Sequence, residues 1–445
     1  MEELEKYGLY RYRWVVLGSF MVVGALTQLM WLNYAAITST TGHGANRLVG
    51  VAHLMFPHMS SGAAEFRITL LALMFPLLYI FVSIPAGIVI DRKGFRFAVM
   101  LGAVLTAGFS FLRLFAGNYP LVLIGMIGIA IGQPFVLNSI TKTVAAWFPT
   151  EESALATGVA TLSLFLGMIV ALALTPALLK AFGDNLAAVR WLVLVYSLAA
   201  VGGAVVFGFF ARGKPPKPPA RTEDELQAEN AAIDWGSFRK IFDLYNFRLL
   251  CAILFIGNGA FVAILQLIDQ ILKPKRISLE TSGLIGAVMV IAGVVGCVVI
   301  PSLSDKYMRR KPFLLLAAGV AIPTLFLVAQ LQSTVQIFVV GAFTGFFLFS
   351  AFPLVLTFAE ETTGHALTGT GSAILLLLGN LGGVVLTLLM VALKNVSSTP
   401  FYWSMIMLVI LFGVALIIAL FLKESKELPC ELETSRMLDE IIEEK

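Results

Sequence analysis

Trp31, Asn33 and Tyr34 stand in the stretch LMWLNYAAI, residues 29–37, which places an indole, an amide and a phenol inside an uncharged apolar run. Trp31 and Tyr34 are three residues apart, so a continuous helix would carry both rings on one face and Asn33 on another. A Trp face in a water-lined cavity attracts cations by roughly 2 kcal/mol when desolvated, and quaternary ammonium groups are its usual guests. With no fixed carboxylate nearby, such a face favours a weakly hydrated organic cation over a metal ion. Aromatic rings in the outer part of a span also form interfacial belts. The two readings stand level at this point.

Other amides recur along the chain: Gln28, Gln133, Asn138, Asn258, Gln266 and Asn380, with Phe261 close to Asn258. In lipid each amide needs a partner, so the set outlines a polar path, while each member alone serves equally as a helix–helix hydrogen bond. Ionisable groups are scarcer. Arg113, Lys142 and Asp269 fall near the ends of apolar runs. A charge at mid-bilayer costs about 2.5–3.5 kcal/mol, so its absence from the run centres argues against a dedicated proton relay and for a facilitator. Lys142 and Arg113 are also the candidates that an organic anion would require.

Three histidines, His43, His53 and His58, lie in segment 39–65, without the spacing of a metal or haem site; a polar surface loop is the expectation. Cys251, Cys297 and Cys430 are too dispersed for a disulfide framework or a metal cluster. Walker A, HExxH and GxSxG patterns are absent, so neither ATP-driven transport nor hydrolytic catalysis is indicated. No cofactor or metal is expected, and the chain reads as no enzyme.

The elements that position these residues follow from composition. Of 445 residues 58% are hydrophobic and 13% charged, with a mean hydropathy of +0.90, against roughly 25% charged in a soluble domain. Apolar runs long enough to cross a hydrocarbon core of roughly 30 Å recur throughout. Twelve are read, at about 14–38, 66–90, 97–117, 120–147, 153–181, 188–211, 247–271, 281–302, 312–331, 335–359, 366–393 and 400–422. An even number puts both termini on one side. With both inside, the cytoplasmic segments hold 21 of the 31 Lys and Arg residues, so both termini are expected in the cytoplasm and the chain in the cell membrane. Net charge +4 reflects these short basic clusters. Nucleic acid is not an expected partner. Membrane lipid and a small-molecule substrate are, and a monomer is expected.

Residues 212–246 form the long polar stretch between the sixth and seventh runs, dividing a bundle at 1–211 from one at 247–422, with an acidic tail at 423–445. Its Pro-rich start reads as extended and TEDELQAENAAI as a short capped helix; Trp235, Phe238, Ile241 and Phe242 then rest at the membrane interface, or the whole is a tether. The halves echo each other. GIVIDRKGFRF follows the second run and PSLSDKYMRRKPF the eighth; WFPTEESALATG follows the fourth and FAEETTGHALTGTG the tenth. This is the pattern of duplicated six-helix halves, an all-α integral membrane fold.

Gly87, Asp91, Arg92, Gly94 and Arg96 in GIVIDRKGFR resemble the signature of the major facilitator superfamily between its second and third helices. Gly94 permits a tight turn, and Asp91 at a helix end can pair with basic residues and a facing helix. The resemblance implies a charge latch stabilising the outward-open state. Its counterparts are Asp305, Arg309 and Arg310, with the acidic residues Glu151 and Glu361 at the matching turns. Gly128 with Gly132, Gly341 with Gly345 and Gly379 with Gly383 fit close helix packing.

WLNY, GQPFVLNSITKTVAAWFPTEESALATG and PLVLTFAEETTGHALTGTGSAI are similar to the feline leukaemia virus subgroup C receptor-related family, transporters associated with choline, ethanolamine and haem. That resemblance implies a twelve-helix alternating-access transporter with Trp31 and Asn380 at the substrate. The family's seventh-span tyrosine falls on Val262 beside Phe261, and its fifth-span glutamine on Phe165, so half of the choline cage is replaced. A non-transporting membrane receptor is the rival from another class.

Overall fold

A computed structural model describes residues 11–40, 49–183, 185–215, 240–307, 309–363 and 368–424, without the side chains of residues 150, 151, 154, 368 and 369. His43, Glu151, most of the linker and the tail beyond residue 424 therefore lie outside what is described. Among the described residues twelve helices are long and apolar enough to cross a membrane. They are α1 (Tyr12–Leu32), α2 (Ser61–Lys93), α3 (Phe95–Leu114), α4 (Tyr119–Trp147), α5 (Thr150–Phe182) and α6 (Leu186–Phe210). The second set is α7 (Tyr245–Lys275), α8 (Leu279–Tyr307), α9 (Lys311–Gln330), α10 (Thr334–Thr363), α11 (Thr368–Ala392) and α12 (Tyr402–Leu420).

The two sets pack alike. In each, the first helix lies on the fifth and sixth, the second on the fourth, and the third on the fourth and sixth. The halves meet through α5 against α8 and α2 against α11, pairs that exchange under the same two-fold relation. The face where α1 begins is the terminal face; the other is the distal face.

Two expected elements are corrected. The first span does not run to residue 38: α1 stops at Leu32, and Ala35–Ile37 form a 3-10 turn. The polar pair Asn33–Tyr34 sits at this change of pitch, because both side chains turn toward a buried arginine described below. The fourth span is broken at Asn138–Ser139, between Tyr119–Leu137 and Ile140–Trp147. Pro134 lies one turn earlier and removes a helical N–H there. Ile241 is fully buried in the second half, and Phe242 meets Phe247 at 5.8 Å, so this end of the linker packs on α7.

Gly94 has φ +79° between α2 and α3, a conformation that a side chain would strain. Proline acts at a distance of one turn elsewhere. Pro76 in α2 lacks the N–H that would bond to Ala72, and Pro176 in α5 likewise leaves the carbonyl of Leu172 without its helical donor. Both freed carbonyls are used between the halves.

Candidate functional site

A cavity of about 1200 Å³ runs between the halves. Its deep end is formed by Gln28, Trp31 and Phe75, and it reaches Asp91 and Thr141 at the terminal face. Phe165 of α5 and Phe261 of α7 both edge onto Phe349 of α10, with ring centroids at 5.5 and 3.8 Å, giving one apolar wall shared by the two halves. Asn258 and Asn380 line the second half. Among the described residues that line the cavity, Asp91 is the one charged side chain.

Trp31 is held by the orphan carbonyl that Pro76 creates. Its Nε1 donates to the oxygen of Ala72 at 3.1 Å, and its ring stacks on Phe75 at 6.3 Å. Gln266 Nε2, from the other half, donates to the same oxygen at 3.4 Å. Gln28 and Gln133 line the cavity, and the side-chain oxygen of each is buried with no hydrogen-bond partner. Asn138, nearer the terminal face, donates to Ser83 at 2.9 Å and accepts from Tyr79 at 2.7 Å. Asn380 donates back to Leu376 in its own helix at 2.9 Å.

The structure thus brings Trp31, Gln133, Asn138, Asn258, Phe261 and Asn380 to one cavity. Asn33, Tyr34 and Gln266 are not among its lining residues. Asn33 accepts from Arg113 at 2.8 Å, and the Arg113 guanidinium lies 4.2 Å over the Tyr34 ring. Arg113 is fully buried in the first half. Trp31 and Tyr34 therefore face different surroundings: the helical spacing that put them on one face ends at Leu32. Gln266 belongs to the seam between the halves.

That seam is the feature that sequence reading missed. Glu65 of α2 is 3% exposed. It accepts from Lys273 of α7 at 2.8 Å and from Lys394 just beyond α11. Gln270 donates to Thr69 at 3.0 Å and accepts from Lys394 at 3.2 Å. Asp269 accepts the backbone N–H of Ser39 at 2.6 Å, and Lys180 pairs with Glu280 at 3.0 Å nearer solvent. Gly283 of α8 rests on the Leu172 carbonyl freed by Pro176; a Cβ there would stand 2.1 Å from the oxygen. These contacts all join the halves at the distal face.

At the terminal face the described charge pairs stay within one half. Asp91 meets Lys142 at 3.4 Å with its side chain 64% exposed, and Arg96 donates to the Gly208 carbonyl at 3.4 Å. Arg13 pairs with Glu152 at 2.8 Å. In the second half Arg310 bridges Asp305 and, at 2.8 Å, Glu361, while the Arg309 carbonyl accepts from Ser304 at 2.7 Å. Two carboxylates hold the Arg310 guanidinium firmly charged despite partial burial. Gly87 and Asp91 line the cavity mouth; Arg92 is exposed.

Comparison with known proteins agrees with this architecture. The Major Facilitator Superfamily profile matches residues 15–387. An MFS-type transporter of Caenorhabditis elegans is 27% identical over 408 residues, 88% of this chain and 66% of that protein's length. The human choline/ethanolamine transporter FLVCR2 is 23% identical over 401 residues, covering 87% of this chain and 73% of its own. Among solved structures, a bacterial homologue of the human lysosomal transporter Spinster superposes with a TM-score of 0.69 at 16% identity, over 92% of this chain and 96% of the other. The transporter FucP gives 0.57 at 15% identity, over 91% and 99%. By its family match and its twelve spanning helices, the chain belongs to the Major Facilitator Superfamily and is an integral membrane secondary transporter, not an enzyme.

Proposed function

We propose that the protein carries a small organic solute, a choline-like organic cation, across the cell membrane by alternating access of its two halves. One observation carries the reading: a cavity between the halves, closed off by the Glu65 network at the distal face and lined down to the terminal face. The Lys and Arg bias supports a cytoplasmic terminal face, so the conformation described is the inward-open one. The protein works as a monomer in lipid.

Within the cavity, the Trp31 face attracts the cationic group, and Gln28, Gln133, Asn258 and Asn380 supply neutral polar contacts. Phe165, Phe261 and Phe349 give an apolar wall, with Phe165 and Val262 at the positions where the family resemblance implies a glutamine and a tyrosine. An organic anion or haem-type solute fits less well. It would need a cation at the cavity, yet Lys142 and Arg113 are not among the lining residues, and Arg113 is committed to Asn33 and Tyr34.

The test is a thermal-stability screen of the purified protein against organic cations, anions and neutral amphiphiles, followed by uptake into proteoliposomes. A bound ligand at free concentration L raises stability by RT ln(1 + L/Kd), whereas a receptor without a solute site gains nothing. Trp31→Ala is expected to weaken binding of the stabilising cation about 30-fold, from about 2 kcal/mol of lost cation–π attraction. Trp31→Phe keeps a ring and should lose far less. Stabilisation by anions alone, or equal binding by Trp31→Ala, would overturn the assignment.

A further inference from the structure

The cavity between the halves is asymmetric, although the halves that form it pack alike. The first half lends it side chains from α1, α2, α4 and α5, and among the described residues none from α3 or α6 lines it. The second half adds Leu314, Ala317 and Ala318 from α9 and Phe412 and Ala415 from α12, the counterparts of α3 and α6. Packing is the cause. In the first half α3 closes on α4 so tightly that a Cβ on Gly102 would stand 2.6 Å from the Gly132 carbonyl oxygen, and Phe20, Val99, Val136 and Phe207 are fully buried together. In the second half Gly257 of α7 lines the cavity, and a Cβ there would meet no atom within 4 Å. An apolar arm of the cavity thus enters the second bundle between α7, α9 and α12. Its side chains offer water no hydrogen bond, so the space suits hydrocarbon better than solvent.

The whole cavity, about 1200 Å³, exceeds the roughly 300–1,000 Å³ of pockets that enclose drug-sized ligands. A choline-sized head on Trp31 leaves most of it unfilled. At a rise of about 1.5 Å per helical residue, Trp31 stands about 28 Å along α1 from the terminal face, and the α9 and α12 residues of the arm about 5–12 Å from it. The separation of roughly 15–20 Å matches an extended alkyl chain of about twelve to sixteen carbons. We propose that the transported solute is a single-chain amphiphile, its cationic head on Trp31 and its hydrocarbon chain running past the Phe165, Phe261 and Phe349 wall into the arm. The head is recognised by the indole face whatever the chain length; the arm selects for the chain. This deepens the reading above and rests on its assignment of Trp31.

The experiment uses the full chain in nanodiscs of zwitterionic lipid, with alkyltrimethylammonium ions from tetramethyl to tetradecyl as probes, each below its micelle-forming concentration. Thermal stabilisation is read against the free aqueous concentration of the probe. In the wild type Kd should fall about fourfold per added methylene until the chain fills the arm, and then level off. Gly257→Leu places a side chain in the open arm; it should hold tetramethylammonium within about twofold of wild type and lose at least about tenfold for the dodecyl ion. Ala318→Leu fills the arm from α9 and carries the test if the first variant fails to fold. Trp31→Ala should weaken every member of the series by one common factor. A wild type indifferent to chain length, or filled variants that keep the wild-type dependence, overturns the chain site and leaves the Trp31 reading standing. Binding of no member, or equal binding of all by Trp31→Ala, removes both.

Discussion

Glu65→Gln removes the charge that two lysines from the other half share. Complete removal of one partner from a buried ion pair costs about 3–5 kcal/mol. Here Lys394 is 14% exposed but Lys273 is 35% exposed, so water compensates part of the loss. A discounted cost of about 2–3 kcal/mol is reasonable, since surface pairs count for only about 0–1. The glutamine keeps the size of Glu65 and an acceptor oxygen for one lysine, and none of these contacts exists once the halves separate. The whole cost therefore falls on the distal-closed state, and the closed-to-open ratio should drop about 30- to 150-fold. A wild type with about 1% open molecules, within the roughly 0.1–10% that minor states normally hold, would become roughly 20–60% open. Spin labels at Gly62→Cys and Gln332→Cys, exposed distal positions in opposite halves of a chain whose native cysteines are replaced, read this by pulsed electron paramagnetic resonance as a second, longer distance peak. Glu65→Asp, which keeps the charge on a shorter arm, should show a smaller shift. A Glu65→Gln distribution indistinguishable from wild type would refute the reasoning that this network holds the gate.

Other consequences are checked in the same way. Gly283→Ala places a Cβ 2.1 Å from the Leu172 oxygen, so α5 and α8 must part; the open distal population should rise, and Gly283→Val should raise it further. Asp91→Asn loses no inter-half contact in the conformation described, since Asp91 pairs with Lys142 of its own half. The latch that the family resemblance implies would act in the opposite, outward-open state, and if Asp91 forms it the variant should lower the open distal population by at most about fivefold, as befits an exposed pair of about 1 kcal/mol, and slow uptake. Transport and spin-label distances unchanged in Asp91→Asn would remove the latch.

The span count was legible because every spanning helix contains an apolar stretch of sufficient length with few charges, most of them near its ends, and hydropathy alone finds such runs. Trp31 was legible too: an indole in an apolar helix is a strong local signal, and it lines the cavity. Tyr34 and Asn33 were not, because spacing arguments assume a continuous helix and α1 ends at Leu32. What draws them away is Arg113, about 80 residues later, whose burial no local pattern reveals. The distal network was invisible for the same reason on a larger scale. Glu65 meets lysines 208 and 329 residues away, and each looks, in sequence, like an ordinary charge at a span end. Phe165 and Phe261 were legible through the family resemblance, which set them at and beside replaced positions of the cage, whereas Phe349, on which both rings edge, was silent, since nothing local separates a phenylalanine that faces lipid from one that faces a cavity. The prolines held more information than was drawn from them. A proline at position i frees the carbonyl at i−4, and Pro76 and Pro176 mark in advance the oxygens of Ala72 and Leu172 that the opposite half engages.

Reversible closure of the distal face is the centre of the account, and cross-linking it tests that most directly. Thr69 of α2 and Gln270 of α7 are joined by a 3.0 Å hydrogen bond between the halves. Thr69→Cys and Gln270→Cys, bridged by a short bifunctional methanethiosulfonate in proteoliposomes, should abolish uptake of the stabilising solute and regain it on reduction. The same bridged protein should still be stabilised by the solute added from the terminal face, because the cavity remains open there. Uptake that continues at the wild-type rate through a fully bridged protein would contradict the account.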